Sequence, residues 1–93
     1  MKRSTGQKGK MIRFQYAGEP GSSVCVVGTF NNWDPRAHQL KDNPHSGIYA
    51  GAVFVPAGRH EYKFLVDGNW CSDPTCPDFV VNPFGTLNSV LSV

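Results

Sequence analysis

The stretch His60–Trp70, HEYKFLVDGNW, decides the fold. Up to Val66 it alternates, with Tyr62, Phe64 and Val66 on one face and Glu61, Lys63 and Leu65 on the other. Alternation with period two predicts a strand that buries one face only. Asp67-Gly68 is among the strongest short hairpin signals. A two-residue turn there sets Val66 opposite Asn69, Leu65 opposite Trp70, Phe64 opposite Cys71 and Lys63 opposite Ser72. Trp70 then shares the outer face with Lys63, diagonally across the hairpin at about 7–8 Å.

The rest of the chain is punctuated too often for helices. Ten glycines and seven prolines are spread over 93 residues, and the longest stretch free of both is Arg59–Asp67. An average helix needs about 11–12 residues, so a helical bundle is excluded. Short strands are expected at Met11–Tyr16, Val24–Val27, Gln39–Lys41, Ile48–Val55, His60–Val66 and Thr86–Val93, with Asp73–Pro83 as a proline-rich loop. Turns at roughly 8–12-residue spacing suggest a β-sandwich of immunoglobulin-like size.

Charge is divided unevenly. Lys2, Arg3, Lys8 and Lys10 crowd the start, MKRSTGQKGK, which lacks an apolar core and is expected to be a flexible basic tail over residues 1–10 rather than a signal peptide. From Met11 onward five basic residues face seven acidic ones, a net −2, so the body over residues 11–93 lacks the basic face of a nucleic-acid binder. No run approaches the ~18 apolar residues of a membrane span. Cys25, Cys71 and Cys76 are an odd number, and without an export signal they are expected as free thiols in a cytoplasmic protein.

Candidate chemistry collects around two indoles. Trp33 stands in Asn31-Asn32-Trp33-Asp34-Pro35, a turn-forming stretch, so it is either exposed for a ligand or folded back over the sandwich edge. Trp70 beside Lys63 makes either a ligand platform or a surface cation–π pair. In the last strand, alternation sets Thr86 and Asn88 on one face, opposite Leu87, Ser89, Leu91 and Val93. Two indoles, one ammonium, an amide and a hydroxyl suit the apolar face and hydroxyl rim of a sugar, whereas a phosphate would want several cations.

Catalysis is poorly served. A glycosidase needs two carboxylates across a bond, but Asp34 and Asp73 precede prolines and Asp67 belongs to its turn. Cys71 and Cys76 lack a second ligand pair for zinc. No cofactor and no enzyme activity are expected.

Gly28-Thr29-Phe30-Asn31-Asn32-Trp33, Tyr62-Lys63-Phe64-Leu65-Val66-Asp67-Gly68-Asn69-Trp70, Asp73-Pro74 and Gly85-Thr86-Leu87-Asn88 together resemble the family 48 carbohydrate-binding modules. The branch most similar is the glycogen-binding domain of AMP-activated protein kinase β-subunits. The resemblance runs from about Ile12 to Val93. It implies an all-β, immunoglobulin-like (E-set type) sandwich of about seven short antiparallel strands that binds α-1,4-linked glucans: glycogen, starch, maltooligosaccharides, cyclodextrin. It further implies that Trp33 and Trp70 stack on glucose rings, that Lys63 and Asn88 hydrogen-bond sugar hydroxyls, and that Thr86 adds a polar contact. Phe84 stands where the kinase-type domain has a leucine that reaches over the ligand. A kinase or glucan-active enzyme is the implied protein partner. The competing expectation is a bracing or protein-interaction domain that has kept the fold and lost sugar binding.

Overall fold

A computed structural model describes residues 8–43 and 46–93. Among these described residues eight strands follow in chain order: β1 Gly9–Ala17, β2 Val24–Gly28, β3 Lys41–Asn43, β4 Ile48–Pro56, β5 Arg59–Val66, β6 Asn69–Cys71, β7 Phe79–Val81 and β8 Leu87–Ser92. A short 3-10 turn, Thr29–Asn31, leaves β2. They form two antiparallel sheets, β1-β4-β3 and β2-β5-β8-β7, with β6 added to β5. The first seven residues of the expected basic tail lie outside the described residues.

Three expectations need correction. The stretch Asp73–Pro83 is not all loop, because Phe79–Val81 pairs with Leu87–Ser89 as β7. The third strand is Lys41–Asn43 rather than Gln39–Lys41, since Leu40 turns into the core and donates its N–H to the Val24 carbonyl at 2.8 Å. Gln39 makes only an isolated bridge to Cys25. Lys63, expected on a solvent-facing surface, is 7% exposed. The hairpin register is otherwise as read: Val66↔Asn69, Leu65↔Trp70 and Phe64↔Cys71, with pairing ending there.

The core lies between the sheets. Phe14, Tyr49, Val53 and Val55 from the first meet Val24, Val26, Tyr62 and Phe64 from the second. Phe14 packs edge-on to Tyr62 at 5.1 Å between centroids, and Tyr62 in turn meets Phe64 at 5.9 Å. Phe30, just after β2, stacks on Phe14 at 5.4 Å and packs, partly buried, against this core. Tyr62 also donates its hydroxyl to Asp73 Oδ2 at 2.6 Å. Burial first, and then that carboxylate, push the Tyr62 hydroxyl well above the usual tyrosine range. Tyr62→Phe removes a bond to a charged acceptor and is expected to lower unfolding free energy by about 1.5 kcal/mol. A shift in the urea midpoint at constant m-value checks this.

One topological detail positions the site. Tyr62 pairs with Gly28 of β2 on one edge of β5 and with Ser89 of β8 on the other. A strand has only two edges, so β6, pairing Phe64–Val66, shares the β8 edge end to end. Lys63 sits at the junction between them, on the outer face.

Candidate functional site

Three segments converge on the outer face of the larger sheet. The first follows β2. Asn31 Oδ1 accepts the Gly28 N–H at 2.9 Å, while its Nδ2 donates to the Val26 carbonyl and to His38 Nδ1, both at 3.0 Å. The Trp33 N–H donates back to the Gly28 carbonyl at 2.9 Å. Asn32 and Trp33 both adopt φ 57°. Consecutive left-handed residues other than glycine cost about 1–2 kcal/mol each. The bonds of Asn31 offset that cost and hold the Trp33 turn in one shape.

The second segment is the β5–β6 hairpin. Asp67 (φ 49°) and Gly68 (φ 83°) are both left-handed, the conformation a two-residue turn demands if it is to match strand twist. Asp67 Oδ1 accepts the Ser23 N–H at 2.8 Å, which ties the turn to the start of β2 and holds the Asp67 carboxyl below the usual range. Trp70 then points outward from β6, 52% exposed. The third segment, Asn82–Thr86, links β7 to β8 and lifts Phe84 into solvent, 91% exposed.

Between these segments lies a cleft of about 860 Å³. All six residues singled out in the sequence line it: Trp33, Lys63, Trp70, Phe84, Thr86 and Asn88. Trp33 is 36% exposed and so is not folded away into the interior. The Lys63 ammonium forms no surface cation–π pair with Trp70; it donates to Thr86 Oγ1 at 2.9 Å. Lys63 is buried as a whole, yet it lines the cleft through which its ammonium meets Thr86.

The sequence reading missed Glu61, Thr29 and Asn82, which also line the cleft. Alternation sets Glu61 on the outer face with Lys63, so the signal for it is present in the sequence. Glu61 Oε1 accepts from Asn88 Nδ2 at 3.1 Å, and Oε2 pairs with Arg59 at 2.7 Å. The Asn88 amide foremost, then Arg59, holds the Glu61 carboxyl below the usual range. A depressed folded pKa contributes stability that is complete above the ordinary carboxylate range and fades as pH falls through the folded value. The advantage of the wild type over Glu61→Gln in thermal melting is therefore expected at about pH 6 and shrinks toward about pH 3. A pH-independent difference contradicts this.

The chemistry open to the cleft is binding. Asp34, Asp67 and Asp73 each accept backbone N–H groups at their turns, from Arg36, Ser23 and Thr75. Glu61 is engaged by Asn88 and Arg59. Among the described residues no group of three His, Cys, Asp or Glu side chains could hold a metal ion, and no helix is long and apolar enough to cross a membrane.

Sequence comparison agrees with this geometry. The pattern of a family described as the glycogen recognition site of AMP-activated protein kinase matches residues 10–93. The chain is 36% identical over 75 residues to the 5'-AMP-activated protein kinase subunit beta-2 of Mus musculus, covering 81% of this chain and 26% of that protein. The Homo sapiens beta-2 subunit matches to the same extent. The beta-1 subunit of Sus scrofa is 38% identical over 73 residues, 78% of this chain and 56% of that sequence. The chain thus spans about a quarter of the length of the beta-2 relatives it matches.

Proposed function

The chain belongs to the family of glycogen recognition sites of AMP-activated protein kinase, and on that premise we propose that its outer-face cleft holds α-1,4-linked glucan by stacking on Trp33 and Trp70. It is a non-catalytic glycogen-binding module. The observation that carries the assignment of the site is the meeting of two exposed indoles with Lys63, Thr86 and Asn88 around one cleft. Glucose rings offer C–H faces to the indoles and hydroxyls to the polar groups. Lys63, Thr86 and Asn88 orient the chain, and Phe84 reaches over it from the β7–β8 loop.

Residues 11–93 act as the binding domain in this reading, and starch fragments, maltooligosaccharides and cyclodextrins are ligands alongside glycogen. The family 48 modules are the broader group into which it fits. The beta-subunit relatives belong to a kinase, which supports a kinase as the protein partner. Three unpaired thiols suit a reducing, cytoplasmic setting. Native electrophoresis in gels cast with and without glycogen tests the function. Retardation by glycogen is the expected result, and equal migration in both gels overturns it.

A further inference from the structure

We infer that Asn82 is a positioning residue that fixes the hydrogen-bond polarity of the cleft and makes Thr86 a pure donor to the ligand; the inference rests on the glucan-binding reading above. Asn82 Oδ1 lies 3.0 Å from the Phe84 N–H and 3.1 Å from the Thr86 N–H. Backbone N–H groups only donate, so the atom they face must be the amide oxygen. The amide nitrogen is thereby turned toward Thr86 Oγ1 at 2.7 Å and Asn88 Oδ1 at 2.9 Å. Both lone pairs and both protons of the side chain are used, and none of them reaches a ligand.

The same logic runs through the neighbours. Asn88 Nδ2 faces the Glu61 carboxylate, which only accepts, so Asn88 must offer its oxygen to Asn82. Thr86 Oγ1 receives two donors, Lys63 Nζ and Asn82 Nδ2. Its two lone pairs are filled, and its own proton is the one valence left for a ligand. Lys63 keeps two further N–H groups and Asn88 one. At Thr86 and Lys63 the cleft therefore reads a glucan through oxygens that accept, the hydroxyl and acetal oxygens of the sugar, while spare lone pairs remain on Asn88 Oδ1 and the Glu61 carboxylate. Asn82 also joins this polarity to the Phe84 loop: its oxygen holds the loop N–H groups, and its own N–H donates to the Thr86 carbonyl at 2.8 Å.

Asn82→Asp separates the two halves. The acceptor that holds the Phe84 and Thr86 N–H groups stays, but the atom facing Thr86 now accepts. The Thr86 hydroxyl then donates to the carboxylate instead of the sugar. Titration calorimetry with maltoheptaose is expected to show about tenfold weaker binding for Asn82→Asp, the scale of one well-placed hydrogen bond. Thr86→Val, which is nearly isosteric, is expected to lose a similar factor. In the Thr86→Val background, Asn82→Asp should add less than about threefold, because its main effect runs through the Thr86 hydroxyl and only the lost bond to Asn88 is left to act. Wild-type binding with Asn82→Asp within about twofold of it overturns this inference alone. Full additivity in the double variant does the same, as does Thr86→Val binding like the wild type, whatever the folding of the Asn82 variants. A wild-type protein that binds no maltoheptaose overturns the glucan reading, and this inference falls with it.

Discussion

Trp70→Ala is expected to weaken maltoheptaose binding by at least about 30-fold, with Trp33→Ala similar, the scale of a binding hot spot worth about 2 kcal/mol or more. The expectation follows from where the rings sit. Trp70 is 52% exposed at the end of a hairpin whose register and turn do not depend on the indole. Its removal therefore leaves folding stability within about 0.5 kcal/mol of wild type, as for other surface substitutions. Trp33 differs in one respect. Its backbone is left-handed, so alanine there keeps the strain while losing the ring, and a small loss of stability accompanies the loss of binding. Glycogen-gel retardation and chemical denaturation of the same samples separate the two effects. Both variants retarded like the wild type would remove the indoles from the site.

Gly28→Ala is expected to destabilise the fold by about 3 kcal/mol, toward the upper end of overpacking effects. The reason is space rather than backbone angle, since Gly28 is fully extended at φ −165°. A Cβ there would meet the Glu61 carbonyl oxygen at 2.5 Å, Tyr62 Cβ at 2.7 Å and a Phe30 ring carbon at 2.9 Å. Two of those three contacts are made by β5, which pairs with β2 at this position, and rotamer changes cannot relieve them. Gly28 also carries both backbone ends of the Trp33 turn, its N–H to Asn31 and its carbonyl from Trp33. Fold and site are thus damaged together. An unfolding free energy from urea denaturation within about 0.5 kcal/mol of the wild type would contradict the packing argument.

Which parts of the molecule the sequence disclosed follows from how local their causes are. The Asp67-Gly68 turn sets register through two residues, so the pairing of Leu65 with Trp70 could be counted directly. The outward placement of Thr86 and Asn88 came from alternation alone. By contrast, β7 is three residues long and lies among prolines, and only its partner β8 makes Phe79–Val81 a strand. Lys63 is buried and bonded to Thr86, 23 residues further along the chain, a contact no local pattern encodes. Asn82 looked like a loop residue before a proline. Its four side-chain bonds reach Phe84, Thr86 and Asn88, partners that only the folded β7–β8 connection brings near. Alternation sets Leu87 on the face opposite Thr86 and Asn88, yet it is over one-third exposed and lines the cleft with them. Its register partner is Val81 of the edge strand, itself exposed.

The chain has two tryptophans, and both line the cleft, so indole fluorescence reports on this site and no other. Titration with maltoheptaose is predicted to give a saturable change in emission, shifted to shorter wavelength as sugar displaces water from the rings. A β-linked glucan of equal length should give none. Emission that stays unchanged at saturating maltoheptaose would mean that the indole shelf does not carry the glucan, and the assignment of the cleft would fail.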